Sequence, residues 1–178
     1  MGLGKKREVR MHIREDFLAA YDAYADQLFR YCLIRIRDRE MAKDVVQETF
    51  TSTWAYIASG KHIQHMRAFL YKTVHNRIID TMRRKRFVSL DTMTEEDGYE
   101  PASEPEPTAA EREETKAALK LLDTLDDLYR TVIMMRFVEE LTLGEIAEVL
   151  HVSENVVSVR IHRGLKQLRE YAEREFTQ

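Results

Sequence analysis

Leu141-Thr-Leu-Gly-Glu-Ile-Ala-Glu-Val-Leu-His-Val-Ser-Glu-Asn-Val-Val-Ser-Val-Arg-Ile-His-Arg-Gly-Leu-Lys-Gln-Leu-Arg169 reads as two helices joined by a tight turn. Thr142 followed three positions later by Glu145 is a capping box, so a helix starts there. Ile146, Ala147, Val149 and Leu150 give it an apolar stripe. After the short His151-Val152 connection, Ser153 is a suitable N-cap for a second helix. In that helix Val157, Ile161, Gly164 and Leu168 recur at helical steps and mark one buried face. Asn155, Ser158, Val159, Arg160, His162, Arg163 and Lys166 fall on the outer and flanking faces. The pattern is a helix-turn-helix, whose second helix can enter the major groove, where Asn and Arg make paired contacts to base edges. A helical hairpin with a solvated basic face would show the same periodicity.

Working outward, composition narrows the class. The chain has 178 residues with a 44% apolar share, ordinary for one domain or two small ones. No apolar run approaches the ~20 residues of a membrane-spanning helix, and the N-terminus has charges without an apolar stretch behind them, so neither membrane insertion nor a secretory signal is expected. With a single cysteine, Cys32, the chain has no internal disulfide and no Cys-based zinc site, and a cytoplasmic location is the default. The net charge of −3 conceals a strong asymmetry. Residues 1–90 hold 18 Lys/Arg against 10 Asp/Glu, residues 91–115 hold 1 against 10, and residues 116–178 hold 9 against 11. The footprint for phosphate thus lies mainly in the N-terminal half.

The three prolines, Pro101, Pro105 and Pro107, stand in the acidic stretch 91–110, which has few residues able to build a core and is expected to be a flexible linker. It separates residues 1–90 from residues 111–178. Before it, Phe17, Ala20, Tyr21, Tyr24, Leu28 and Tyr31 predict an amphipathic helix over 16–31. Met41, Val45, Val46, Thr49, Phe50, Thr53, Trp54 and Ile57 predict a second over 38–57. Phe69, Leu70, Val74, Ile78, Ile79 and Met82 predict a third over 67–85, ending in Arg83-Arg84-Lys85-Arg86. Helices over 111–122 and 125–139 precede the helix-turn-helix. Strand-type alternation is missing, so the fold class is all-α: two small helical domains joined by the acidic linker.

Three blocks carry a family resemblance: Asp44-Val-Val-Gln-Glu-Thr-Phe50; Ala68-Phe-Leu-Tyr-Lys-Thr-Val-His-Asn-Arg-Ile-Ile-Asp80 with Arg83-Arg84; and Leu125 to Arg169, in which Met135-Arg-Phe-Val-Glu-Glu-Leu-Thr-Leu-Gly-Glu-Ile-Ala-Glu-Val-Leu150 leads into the helix-turn-helix. In this order they resemble the extracytoplasmic-function sigma factors, the two-domain promoter-recognition subunits of bacterial RNA polymerase. The resemblance covers nearly the whole chain. It implies that Asp44, Gln47 and Glu48 meet the clamp helices of core RNA polymerase, and that the flap of the polymerase is a second docking point. It implies that Asn76, Arg77, Asp80, Arg83, Arg84, Lys85 and Arg86 bind and open the proximal promoter element, with Asn76 beside the pocket for a flipped base. It also implies that the outward residues of the last helix read a distal element, that the acidic linker lies in the polymerase cleft, and that an anti-sigma factor is a partner, as for many relatives. A free monomer is expected.

The chain departs from the family pattern at four positions of the turn and its second helix. The family often has Gly at His151, a small polar residue at Val156, and basic residues at Ser158 and Leu165. His75 stands where a basic residue is common and is expected to be a partly solvated structural histidine. Two rival classes are weaker. His62 and His65 lack a local partner for a metal site, and no phosphate loop, nucleophile motif or paired carboxylates suggest an enzyme or a cofactor. An operator-binding helix-turn-helix regulator would explain residues 141–169 but leaves the basic first domain and the linker without roles.

Overall fold

The computed structural model describes residues 3–88 and 109–175 of the chain. The chain divides into two compact units, residues 1–99 and 100–178, and every regular element among the described residues is helical. Of the expected linker, residues 91–108 lie outside the described residues.

The first unit holds α1 (Leu3–Ile36), α2 (Arg39–Ala58) and α3 (Met66–Val88). Each helix packs on the other two. Leu28, Tyr31 and Cys32 of α1, Ala42 of α2, and Ala68, Leu70, Tyr71, Val74 and Ile78 of α3 are fully buried between them. Two threonines share this core. Thr49 donates its hydroxyl to the Val45 carbonyl at 2.7 Å and Thr53 donates to the Thr49 carbonyl at 2.8 Å, so neither buried hydroxyl is left unsatisfied. Tyr31 meets Tyr71 edge-on, with ring centroids 5.8 Å apart, and its Oη lies 3.4 Å from His75 Nδ1.

Sharp local devices end the helices. Arg37 adopts a left-handed conformation with φ 54° and donates its N–H to the Leu33 carbonyl at 2.9 Å. Asp38 then caps α2, its Oδ1 accepting from the Met41 N–H at 3.0 Å. Beyond α2, Gly60 takes φ 86°, a conformation in which any other side chain is strained.

Several expectations need correction in this unit. α1 runs well past Tyr31 because the apolar stripe continues through Cys32, Leu33 and Ile36, all buried. In α3, Ile79 and Met82 are exposed; the buried line steps through Ala68, Tyr71, Val74 and Ile78, so Ile79 sits about 100° off it and Met82 lies one turn beyond its end. His75 is buried rather than partly solvated, joining this line beside Tyr31.

The second unit holds α4 (Ala109–Asp123), α5 (Asp127–Ile133), α6 (Leu143–Leu150) and α7 (Glu154–Glu175). α4 starts two residues inside the stretch expected to be linker. α5 does not continue as an α-helix to Glu139: it widens into a π turn over Met134–Val138, closed by the Glu139 N–H donating to the Met134 carbonyl at 3.0 Å. The widening keeps Met134 and Met135 in the core while turning Phe137 and Val138 outward. Glu140, left-handed with φ 53°, then reverses the chain, and Arg136 donates to the Leu141 carbonyl at 2.9 Å.

α7 crosses α5 very closely. A Cβ added at Gly164 would stand 3.1 Å from Ile133 Cγ1 and 3.3 Å from Tyr129 Cβ, so glycine is what lets the two helices touch. The α4–α5 turn is held by one side chain, Arg130, which donates to the carbonyls of Leu122 at 3.0 Å, Asp123 at 3.1 Å and Leu125 at 3.3 Å. It also pairs with the Asp123 carboxylate at 3.3 Å. The Leu122 and Asp123 carbonyls close the negative end of α4, where a cation is favoured. Arg130→Ala should lower the stability of the second unit by about 1–2 kcal/mol, a drop of several degrees in its thermal transition. Calorimetry of the full chain, with hydrogen exchange localising the loss to the second unit, checks it.

Candidate nucleic-acid and partner interfaces

The helix-turn-helix is assembled from local hydrogen bonds. The Thr142 hydroxyl oxygen accepts from the Glu145 N–H at 3.2 Å, while Glu145 Oε2 accepts from the Thr142 N–H at 2.8 Å and its hydroxyl at 2.9 Å. This is the reciprocal capping box expected at the start of α6. Leu150 is followed by His151 in the left-handed conformation, φ 54° and ψ 44°. The Val152 N–H donates to the Ala147 carbonyl at 3.1 Å, and Ser153 Oγ accepts from the Val156 N–H at 3.4 Å. Three residues thus turn the chain from α6 into α7.

Val157 and Gly164 are buried and Ile161 and Leu168 half-buried, so the inward face of α7 is the one its spacing marks. Asn155, Ser158, Val159, His162, Arg163 and Lys166 are exposed and Arg160 is half-buried. Lys166 approaches Glu170 at 3.8 Å. The outward face therefore carries cations, an amide and a hydroxyl on a helix whose other side is fixed by the core.

On α3, Asn76, Asp80, Arg83 and Arg84 are exposed and Arg77 is half-buried. Asn76, Asp80 and Arg83 follow one another at steps of four and three and so share a face. Asp80 Oδ1 accepts from Arg83 at 3.0 Å, which orients the guanidinium. The side chains of Lys85 and Arg86 lie outside the described residues. Arg77 pairs with Glu48 of α2, so the two sets of candidate residues in this unit meet in one ion pair.

Asp44 and Glu48 project from the exposed side of α2, and Gln47 shares a side of the helix with Trp54. Both residues line an open groove of about 660 Å³ between α1 and α2. The sequence had placed Tyr21 and Trp54 in buried stripes; the structure leaves them 48% and 40% exposed as walls of this groove. Phe17 sits 5.1 Å from the Trp54 ring centre and Tyr21 4.8 Å from that of Phe50. Asp26 of α1 and Lys43 of α2 stand at its rim. Sequence reasoning missed the groove because aromatic residues at helical spacing look the same whether they fill a core or line a cleft. Among the described residues, no group of three or more His, Cys, Asp or Glu side chains gathers as a metal site would, and no helix is long and apolar enough to cross a membrane.

Together these features define a two-unit, all-helical protein with a helix-turn-helix in the second unit. The family model for Sigma-70 region 2 matches residues 20–88, and that for Sigma-70, region 4 matches residues 121–170. The chain is 29% identical over 177 residues to the ECF RNA polymerase sigma factor SigW of Bacillus subtilis, covering 93% of this chain and 94% of that one. It is 32% identical over 158 residues to the ECF RNA polymerase sigma factor SigL of Mycobacterium tuberculosis, covering 85% of each. Among solved structures, the sigma factor RpoE from Bartonella quintana, crystallised with the anti-sigma factor NepR, shares the fold with a TM-score of 0.71 at 20% identity, covering 89% of this chain and 98% of that one. CnrH in complex with the cytosolic domain of CnrY matches with a TM-score of 0.61 at 23% identity, covering 89% of this chain and 86% of that one. The chain belongs to the ECF RNA polymerase sigma factors.

The family's frequent glycine at position 151 has its reason in the left-handed backbone there. A non-glycine residue in that region costs about 1–2 kcal/mol, offset in part by the greater unfolded-chain freedom of glycine. His151→Gly should therefore stabilise the second unit by about 0.5–1 kcal/mol. A raised midpoint in denaturant titration with an unchanged slope checks it.

Proposed function

We infer that this chain binds core RNA polymerase and directs it to specific promoters, with both units contacting DNA, and that it acts without catalytic chemistry or a cofactor of its own. The observation that carries the reading is the order of the two sigma-70 regions on one chain, each bearing an exposed, charged helix face. An operator-binding regulator is not favoured, because it gives the region-2 match and the acidic face of α2 nothing to do. Such a subunit works in the cytoplasm and is a monomer when free.

In this reading Asp44, Gln47 and Glu48 meet the clamp helices, with the neighbouring aromatic groove taking apolar side chains from the same partner. The flap holds the second unit. Asn76, Arg77, Asp80, Arg83, Arg84, Lys85 and Arg86 engage the proximal element, the cations holding phosphates and Asn76 offering a paired donor and acceptor to an unstacked base. Asn155, Ser158, Val159, Arg160, His162, Arg163 and Lys166 face the distal element in the major groove. The acidic stretch 91–110 runs through the basic cleft of the polymerase in place of nucleic acid. Two structural neighbours were solved in complex with an anti-sigma factor or with the cytosolic domain of another protein, which supports a protein inhibitor as a further partner here.

Run-off transcription with bacterial core polymerase on a genomic promoter library tests the whole. Transcripts that depend on the chain, and that fall at least about tenfold when Arg160 and Arg163 both become Ala, are expected. The absence of any dependent transcript despite a folded monomer and core binding would overturn it. Asp44→Ala with Glu48→Ala should weaken core binding by about tenfold or more while leaving stability within about 0.5 kcal/mol, since the Glu48–Arg77 pair is largely solvated. Fluorescence titration with core polymerase, beside a thermal scan, separates the two effects. Asn76→Ala should slow promoter opening on preferred promoters, whereas Arg84→Ala should weaken binding evenly on all sequences and flatten the salt dependence by about one unit. Permanganate footprinting and salt titrations read these apart.

A further inference from the structure

The outward face of α7 carries two side chains that stability does not explain. Val156 and Val159 are 37% and 41% exposed, yet β-branched residues are poorer helix formers than Ala or Lys at solvent-facing positions. At about 100° per residue, Val159 stands nearly opposite the buried line of Val157, Ile161 and Gly164, at the centre of the exposed face. Asn155 and Lys166 flank it along the helix, and Arg163 lies one turn on, at i+4. Val156, three residues back, is its neighbour on the same surface.

We propose that Val159, with Val156 beside it, reads the C5-methyl groups of thymines in the distal promoter element. The proposal rests on the reading of α7 as the helix that enters the major groove. Of the four bases only thymine presents a methyl group there, beside its O4 acceptor, while the edges of the others carry donors or acceptors without one. An isopropyl group set against those edges leaves them unpaired once water is displaced, so the valines select for thymine by attraction and against the other bases by desolvation. The setting fits DNA rather than a protein partner: the two valines are an isolated apolar pair ringed by Asn155, Arg160, Arg163 and Lys166, which suit base edges and phosphates. A protein-docking patch is typically broader and continuous. The pair spans about 4.5 Å along α7 at 1.5 Å per residue, so the two side chains can meet methyl groups on neighbouring base pairs.

The test uses holoenzyme and its best promoter from the library, with each thymine of the distal element replaced in turn by uracil, which pairs identically but lacks the methyl. Burial of one methyl corresponds to roughly a fourfold change in affinity. One or two replacements should weaken holoenzyme binding by about that factor. Val159→Ala should weaken binding to the parent promoter to a similar extent and abolish its sensitivity to uracil at the same position; being exposed, the substitution leaves the fold intact. Val156→Ala should do the same at a neighbouring position. Indifference to every uracil in a holoenzyme that still selects promoters overturns the thymine reading alone. Undiminished uracil sensitivity in Val159→Ala, or a loss confined to core-polymerase affinity, also overturns it. Failure to select any promoter overturns both this proposal and the reading on which it rests.

Discussion

The second unit depends on the close crossing of α7 over α5. At Gly164 the two helices leave no room for a methyl group without displacing Ile133 or Tyr129, and interiors at crystal-like density transmit such displacements rather than absorb them. This one approach fixes the rotation of α7 about its own axis. With Val157 also buried, the outward face is determined to within a fraction of a turn, and Asn155, Val159 and Arg163 face solvent because no other rotation packs. The capping box at Thr142 and the three-residue turn after Leu150 fix the angle of α6 against that helix. The outward face of α7 therefore owes its aim to a residue that has no side chain.

The first unit solves a different problem with three helices. Its core is small, and small domains bury a limited share of their surface, so its buried polar groups find their partners inside the unit. Thr49 and Thr53 do this by bonding back along α2, and Tyr31 and His75 do it across helices. What is left outside includes Asp44 and Glu48 on α2, Asn76, Asp80, Arg83 and Arg84 on α3, and aromatic rings between α1 and α2. The Glu48–Arg77 pair sits where the first two sets meet.

Much of this was legible from residue spacing. The capping box, the Ser153 cap and the buried line of α7 follow from local rules, because each depends on residues within one or two turns of each other. The misreadings share a cause. Ile79, Met82, Tyr21 and Trp54 have the right residue type and the right helical period for a core, and only the placement of neighbouring helices decides that they face water or line a groove. His75 erred the other way: a polar residue was drawn inside by a tyrosine 44 positions earlier. The end of α5 escaped notice because a π turn adds one residue to the helical repeat without a compositional mark. The roles of the surface residues came from resemblance, since exposed charge alone does not name a partner.

The brevity of the connections has a kinetic side. Two residues join α1 to α2 and three join α6 to α7, and most contacts in the chain are between residues close in sequence, although α1 packs on α3 and α5 on α7 across an intervening helix. Chains dominated by such local contacts fold in roughly microseconds to milliseconds, because little loop-closure entropy must be lost before contacts form. Each unit can thus reach its native shape almost as soon as its last helix is free of the ribosome, which adds residues at only about 5–20 per second. For a protein of this design, folding adds little to the time that synthesis itself takes.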